Sequence, residues 1–425
     1  MVQQKLVSSE KTNEKEKICR DEPELRFPEF NEKWETLKLG DFLEFISTNS
    51  LSRAKLNLDD GKIKNIHYGD IHTKFPTIVN VENEEIPFIN LDEDTSKFKK
   101  EQFCKEGDLV IADASEDYAD IGKAIELVNV NIDLVAGLHT ILARDKSNKT
   151  ATGFKGYLFL TEDLRKKIKI NANGISVLGI SKNNIANLDV KLPSKQEQEK
   201  ISSFLHAIDK KIELLEKKLV LYQQLEKDIR KSIFNFNNEK VRFNKFLLGE
   251  IAEIKKGFTP STQNEEFWDD GKYLWLSIAD MNKKYLTETS KKITEKAIKN
   301  KEIVPKNTLV MSFKLTIGKL AILKEDMFTN EAIASFNWKN KKISTEYMYF
   351  YLKSINIKKY GSQAAKGITL NNETLNSIPV YLPDSNKQKE IVEILLSFNN
   401  KIDLVKTQLT ALNRFKKGLL QKMFI

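Results

Sequence analysis

The feature that most limits what this chain can fold into is an internal duplication. Val190-Lys191-Leu192-Pro193 returns as Val380-Tyr381-Leu382-Pro383, a shift of 190 residues. The segment KQEQEKISSFLHAIDKKIELLEKKL that follows returns as NKQKEIVEILLSFNNKIDLVKTQL at the same shift. Tyr157 falls on Tyr347 and Phe234 on Phe424 with no insertion. Earlier anchors recur at other shifts, as loops of unequal length require: Leu39-Gly40-Asp41 with Leu248-Gly249-Glu250, Asp70 with Asp280, Ile121-Gly122-Lys123 with Ile317-Gly318-Lys319. A repeat of this kind sets the architecture before any local pattern does. The chain divides into a leader (1–20), a globular unit (21–193), a helix (194–235), a second globular unit (236–383) and a second helix (384–425).

Both helices carry a 4-3-4-3 spacing of apolar residues. In the first these are Ile201, Leu205, Ile208, Ile212, Leu215, Leu219, Tyr222, Ile229 and Ile233, interrupted only by Glu226. In the second, Ile391, Leu395, Phe398, Ile402, Val405, Leu409, Leu412, Leu419 and Met423 repeat the pattern, with Lys416 at the equivalent gap. A sustained period of about 3.5 residues, with no proline and no glycine before Gly418, is a coiled-coil seam that needs a partner. The nearest partner is the other helix of the same chain. Antiparallel pairing would return the second helix to the first unit and give the molecule a pseudo-two-fold axis. From Ile201 to Ile233 the rise is about 48 Å at roughly 1.5 Å per residue. Major-groove half-sites recur about 34 Å apart, so a spacer of this length fits two heads over neighbouring grooves. Pairing between molecules, as a dimerisation stalk, is the competing arrangement.

The globular units read as α+β. Short β-rich runs at Asp108–Ile111, Lys123–Val128, Thr308–Met311 and Lys319–Leu323 alternate with Gly- and Asn-containing turns, and Tyr347–Ser354 reads as a short helix. The fold class expected is therefore two similar α+β domains joined by two long helices in an intramolecular antiparallel coiled coil. The leader, MVQQKLVSSEKTNEKEKICR, is polar, lacks the apolar core of a secretory signal and is expected to be disordered. No apolar run reaches the length of a membrane span. Cys19 and Cys104 lie far apart and without metal-ligand spacing, as in a cytoplasmic protein.

The formal net charge of +9 permits nucleic-acid binding. It is divided unevenly: residues 20–193 hold 24 Lys+Arg against 30 Asp+Glu, and residues 236–383 hold 24 against 16. Contact with DNA through the first unit would need local basic patches. Catalytic motifs are missing. No two glycines lie two apart, so both the dinucleotide fingerprint and the related cofactor loop are absent, as is the phosphate-binding G-x-x-x-x-G-K-[ST] loop. No Asn or Asp precedes two prolines and an aromatic, the pattern of an amino-methyltransferase pocket. Glu253-Ile254-Lys255 resembles the tail of a metal-dependent nuclease motif but reads better as a charged turn. Of the four histidines, His67, His72, His139 and His206, the first two lack an acidic or cysteine cluster to complete a metal site, and His206 reads as a solvated helix residue. Neither a catalytic nor a metal site is expected.

Other residues resemble a known family. RFPEFNEKWETLKLGDFLEF at Arg26–Phe45 resembles the opening of the specificity subunits (HsdS) of type I restriction–modification systems. So do the proline-ended strands before each helix, Gln198 and Gln388 with Ile201 and Ile391 following, and TNEAIASF at Thr329–Phe336. The resemblance covers residues 26–425; the second unit's entry, VRFNKFLLGEI, departs from it in being shorter and lacking the first unit's tryptophan. The resemblance implies two target-recognition domains, each reading half of a bipartite DNA site. It implies helices that set the spacing and dock two modification (methyltransferase) subunits, which bind S-adenosylmethionine and methylate adenine. Restriction subunits would supply ATP- and magnesium-dependent translocation and cleavage, leaving this chain without cofactors and without catalysis of its own.

Readout is expected on loops that combine cations for phosphates with hydrogen-bonding side chains for base edges. In the second unit the candidates are Lys255, Lys256, Gly257, Thr259 and Ser261 on one loop. Lys314, Thr316 and Lys319 flank Gly318 on another, and Ser362, Gln363 and Lys366 form a third. In the first unit they are Ser50, Ser52, Arg53 and Lys55, with Tyr68 and Lys123. An ordinary solvated loop competes with each. Asp70 and Asp280 read as turn caps rather than as contacts to cytosine. Two other functions compete with the specificity subunit: a self-contained restriction–methylation enzyme, and a coiled-coil adaptor between proteins with no DNA contact.

Overall fold

The structure, a computed structural model, describes residues 22–235, 243–314, 316–364 and 367–425. The leader and Lys366 lie outside the described residues, and Ser362 and Gln363 are described in backbone only. The described residues form two compact units, one within 22–216 and 408–425 and one within 217–407.

The first unit is built on a five-stranded sheet in the order Leu43–Ile46, Thr140–Asp145, Leu109–Ala112, Ala124–Val128, Ile78–Asn80. The first three pairings are antiparallel and the last is parallel. The second unit has the same order and the same senses with Ala252–Lys256, Ile333–Trp338, Leu309–Ser312, Leu320–Leu323 and Tyr285–Leu286. Duplication in sequence is thus duplication of topology. The central strands, Leu-Val-Ile-Ala and Leu-Val-Met-Ser, are buried at every residue because both faces of the sheet are covered. Each unit is closed by a two-stranded ribbon, Glu35–Lys38 against Asp189–Leu192 and Asn244–Leu247 against Pro379–Leu382. The loop leaving the central strand returns through a left-handed glycine in both units, Gly122 at φ +65° and Gly318 at φ +87°. Their N–H groups donate to Ala112 O (3.1 Å) and Ser312 O (2.9 Å).

The expected short helix runs Thr345–Ser354, and the four expected strands form with bounds moved by one residue. Glu253-Ile254-Lys255 is not a charged turn. It lies within strand Ala252–Lys256, where period-two alternation turns charged side chains outward from a paired edge.

The long helices run Lys195–Ile233 and Ser385–Lys422. In the first unit, Ile201, Leu205 and Ile208 of the first helix share a core with Leu419, Met423 and Phe424 at the end of the second chain segment. In the second unit, Ile229, Ile233 and Phe234 from the end of the first helix share a core with Ile391 and Leu395 from the start of the second. Start meets end in each unit, so the two helices pair within the chain and antiparallel. The charged gaps in the seam are tethers to the globular parts. Lys416 pairs with Asp209 at 2.5 Å, and Asp209 also accepts from Tyr157 Oη at 2.9 Å. Glu226 is buried and accepts from Arg230 at 2.9 Å, while Arg230 donates to Lys353 O at 3.1 Å.

A second device repeats at each helix start. Gln198 Nε2 donates to Pro193 O (3.0 Å) and its Oε1 accepts from Ala151 N–H (2.9 Å). Gln388 makes the same bonds to Pro383 O (3.0 Å) and Ser344 N–H (2.9 Å). Both glutamines are buried, where such paired bonds are expensive to lose. They fix the helix to the strand before it and to the globular unit beside it. His206, expected to be solvated, is half-buried, and burial lowers its pKa.

Candidate nucleic-acid interface

In the second unit the structure brings the three candidate loops to one place. Lys256 ends its strand exposed, with Nζ 4.9 Å from the centre of the Phe313 ring; Lys314 Nζ stands 5.7 Å from the same ring. Partial burial, with Lys314 as a like charge nearby, lowers the Lys256 pKa. Phe313 is buried, and its carbonyl accepts from Leu370 N–H at 3.2 Å, which places the end of the third loop at the same point. That loop is a hairpin, Ser362–Ala364 against Gly367–Thr369. The backbone of Gly257 runs against Thr329: a Cβ built on it would lie 1.9 Å from Thr329 O, so no larger residue fits. Phe258 N–H donates to Thr329 O at 2.8 Å and holds the loop there. Thr259 Oγ1 accepts from Asn330 Nδ2 at 2.8 Å, and Ser261 is exposed, its carbonyl accepting from Trp268 Nε1 at 3.0 Å. Thr316 is exposed, and its carbonyl accepts from Ser312 Oγ.

Lys255 is differently placed from its neighbour. Its Nζ pairs with Glu302 at 2.6 Å and with Glu253 at 3.7 Å, and these partners raise its pKa. Lys319 Nζ donates to Ile278 O at 3.1 Å, and Lys123 in the first unit donates in the same way to His72 O at 2.7 Å. These repeated lysines tie the loop after the central strand to a short helical turn, so their ammonium groups are engaged within the fold.

Four of the first-unit candidates lie on the loop after Leu43–Ile46. Ser50 and Ser52 are exposed. Lys55 pairs with Glu93 at 2.5 Å, which raises its pKa. Arg53 pairs with Asp70. Asp70 is therefore not a turn cap: its carboxylate is buried under Arg53, with Lys74 Nζ at 3.7 Å. Asp280 does cap, accepting from Ser277 N–H (3.0 Å), Ser277 Oγ (2.6 Å) and Ser290 N–H (3.0 Å). Burial raises its pKa, but these bonds outweigh it and leave the carboxyl below its ordinary range. Tyr68 is half-buried among His67, His72 and His139, with ring centres 4.6, 5.9 and 5.3 Å away. His67 Nδ1 accepts from Gly69 N–H at 3.1 Å, and burial lowers its pKa. His72 Nε2 lies 3.0 Å from Ala114 O.

Sequence reasoning missed Phe313, Asn330, Asp113 and His139. Phe313 and Asp113 each follow the central strand, and each donates its N–H to the residue preceding the paired strand, Ala332 (3.0 Å) and His139 (3.1 Å). The strand repeat is the signal that could have found them.

The chain thus belongs to the class of proteins built from one α+β unit present twice, each unit packed on one end of two antiparallel helices. The type I restriction modification DNA specificity domain matches residues 31–226 and again residues 240–414, and the chain belongs to that family. It is 22% identical over 442 residues to the type I restriction enzyme MjaVIII specificity subunit of Methanocaldococcus jannaschii, covering 96% of this chain and 95% of that protein. It is 29% identical over 184 residues to the MjaIX specificity subunit of the same organism, a match that spans 41% of this chain and 42% of that protein. Its fold is similar to that of the type I restriction–modification S subunit from M. genitalium, with a TM-score of 0.59 at 16% identity, covering 95% of this chain and 99% of that one.

Proposed function

We propose that this specificity subunit reads a bipartite DNA site, one half with each globular unit, and that it lends this reading to partners that do the chemistry. The observation that carries the proposal is a shared frame with unshared side chains. The five-stranded sheets of the two units have one strand order and matching anchoring bonds, while the residues on their loops differ. Two heads of one design with different contact residues suit two different half-sites. In the second unit the cations about Phe313 are set for phosphates, and Asn330 and Thr259 supply polar groups for base edges.

The helices have a second use in this reading. Outside the seam, Phe204, Leu214 and Leu225 are exposed on the first helix, and Ile394, Leu404 and Phe415 are exposed at the same positions of the second, 190 residues on. Equivalent apolar stripes suit two copies of one partner, the modification subunits. Those subunits would bring S-adenosylmethionine, and restriction subunits ATP and magnesium, in the cytoplasm where the DNA lies. No described helix is long and apolar enough to cross a membrane.

Exchanging residues 21–193 for the equivalent unit of another such subunit, then mapping methylated adenines in a host that also carries the modification partners, tests the reading. Half of the methylated motif should change while the other half and the spacing stay. A motif altered in both halves, or no two-part motif from the parent, would overturn it. Methyl transfer by the purified chain alone would overturn the assignment of chemistry to the partners.

A further inference from the structure

The corner after the central strand is the same in both units and is filled differently. In the first unit Asp113 N–H donates to His139 O (3.1 Å), and Asp113 O accepts from Ile180 N–H (2.9 Å). In the second unit Phe313 N–H donates to Ala332 O (3.0 Å), and Phe313 O accepts from Leu370 N–H (3.2 Å). These backbone hydrogen bonds therefore form with either set of side chains at this corner. The second unit builds it with two apolar residues, both buried.

The first unit instead places two polar groups there, facing out. His139 Nδ1 lies 3.4 Å from Asp113 Oδ1, and the side chains are 51% and 31% exposed. His139 also has left-handed backbone at φ +54°, which Ala332, its counterpart, does not share. A polar pair this exposed contributes little to stability. Left-handed backbone at a non-glycine residue is a cost that tends to persist where function requires it. The fold neither needs this pair nor benefits much from it.

We propose that Asp113 and His139 read one G·C base pair in the half-site of the first unit. The inference rests on the reading that this unit contacts DNA. A carboxylate only accepts hydrogen bonds, so Asp113 selects an exocyclic amine, and cytosine N4 in the major groove supplies one. With Nδ1–H given to Asp113, a His139 ring that carries protons on both nitrogens has Nε2–H for an acceptor, and guanine O6 and N7 are the acceptors across the same base pair. Tyr68, edge-to-face with His139 at 5.3 Å, braces the imidazole. Lys182, whose charge acts on Asp113, donates to Ser47 Oγ at 3.2 Å at the same edge and is available to a phosphate.

The test uses the complex of the full chain with its modification subunits. Methylation is measured on duplexes carrying the wild-type motif and each single base-pair change in it. Asp113→Asn keeps the size but adds a donor. His139→Gly removes the imidazole at a position where glycine suits the backbone, so it guards against a variant that merely fails to fold. Both should lose roughly ten- to a hundredfold of discrimination at one G·C position of the first half-site, with the other positions unchanged. Two variants that discriminate like the parent at every position overturn the proposal, as does relaxation at an A·T position or in the other half-site. If the parent complex has no two-part motif, the underlying reading of the unit fails instead, and that outcome is distinct.

Discussion

Lys255 and Lys256 are neighbours in sequence and opposite in circumstance. Lys255 is held by Glu302 and Glu253, whereas Lys256 has a ring beneath it and a like charge beside it. A cation already neutralised by carboxylates releases few counterions from DNA. Lys256→Glu should therefore weaken binding to the second half-site and lower the slope of log affinity against log salt by about 1; Lys255→Glu should do so much less. Salt titration of the assembled complex on its duplex gives both numbers. Lys284 gives a second residue-scale prediction. Its ammonium is half-buried among the faces of Tyr285, Tyr349 and Phe350 at 4.8, 5.1 and 4.3 Å, and burial pushes its pKa from 10.5 down to about 8. Between those values the unfolded chain binds the proton that the folded chain has released, so stability from this group rises with pH from about 8 to about 10.5. Below about 8 the folded state must hold a buried charge. Denaturant melts of wild type and Lys284→Met should converge as pH rises through that window, and a constant difference would refute the assignment.

At the scale of the element, each long helix carries two apolar stripes, one covered and one exposed. The seam positions are buried or half-buried in the cores of the units, whereas Leu214 and Leu404 point away from them. Exposed leucines add little to the stability of the isolated chain. Leu214→Glu with Leu404→Glu should leave its melting temperature within a degree or two and reduce capture of the modification subunits by about tenfold or more, measured by co-purification and by analytical ultracentrifugation. A matching fall in melting temperature would instead place both leucines in the fold. The charged gaps in the seam show why a heptad pattern is not read by hydrophobicity alone. Glu226 and Lys416 interrupt it because each reaches a group belonging to the globular part of its own unit, through Arg230 in one case and Asp209 in the other.

At the scale of the whole molecule, residues 408–425 belong with a unit whose other residues end at 216. They bring Leu419, Met423 and Phe424 into its core, where Phe424 lies 5.4 Å from Phe154 and 6.4 Å from Trp34. Burial of large apolar groups dominates unit stability, so ending the chain at Thr407 should abolish cooperative melting of the first unit while the second still melts, read by calorimetry and limited proteolysis. The duplication, the two seams, the α+β class and the strands near Leu109 and Leu309 were legible in the sequence, because period and repeat are properties of the chain itself. Lys256 and the hairpin at residues 362–369 could be named as basic or polar loops, but their convergence on Phe313 beside Lys314 could not, since it depends on a ring contact and a backbone hydrogen bond between segments more than fifty residues apart. The same limit hid Asp113 with His139 and misplaced Asp70, whose partner Arg53 comes from another loop. What the sequence determined by itself was the number of heads and the helices that serve them; which side chains each head presents was decided by tertiary structure, because pairing across a sheet brings together residues that no local pattern connects.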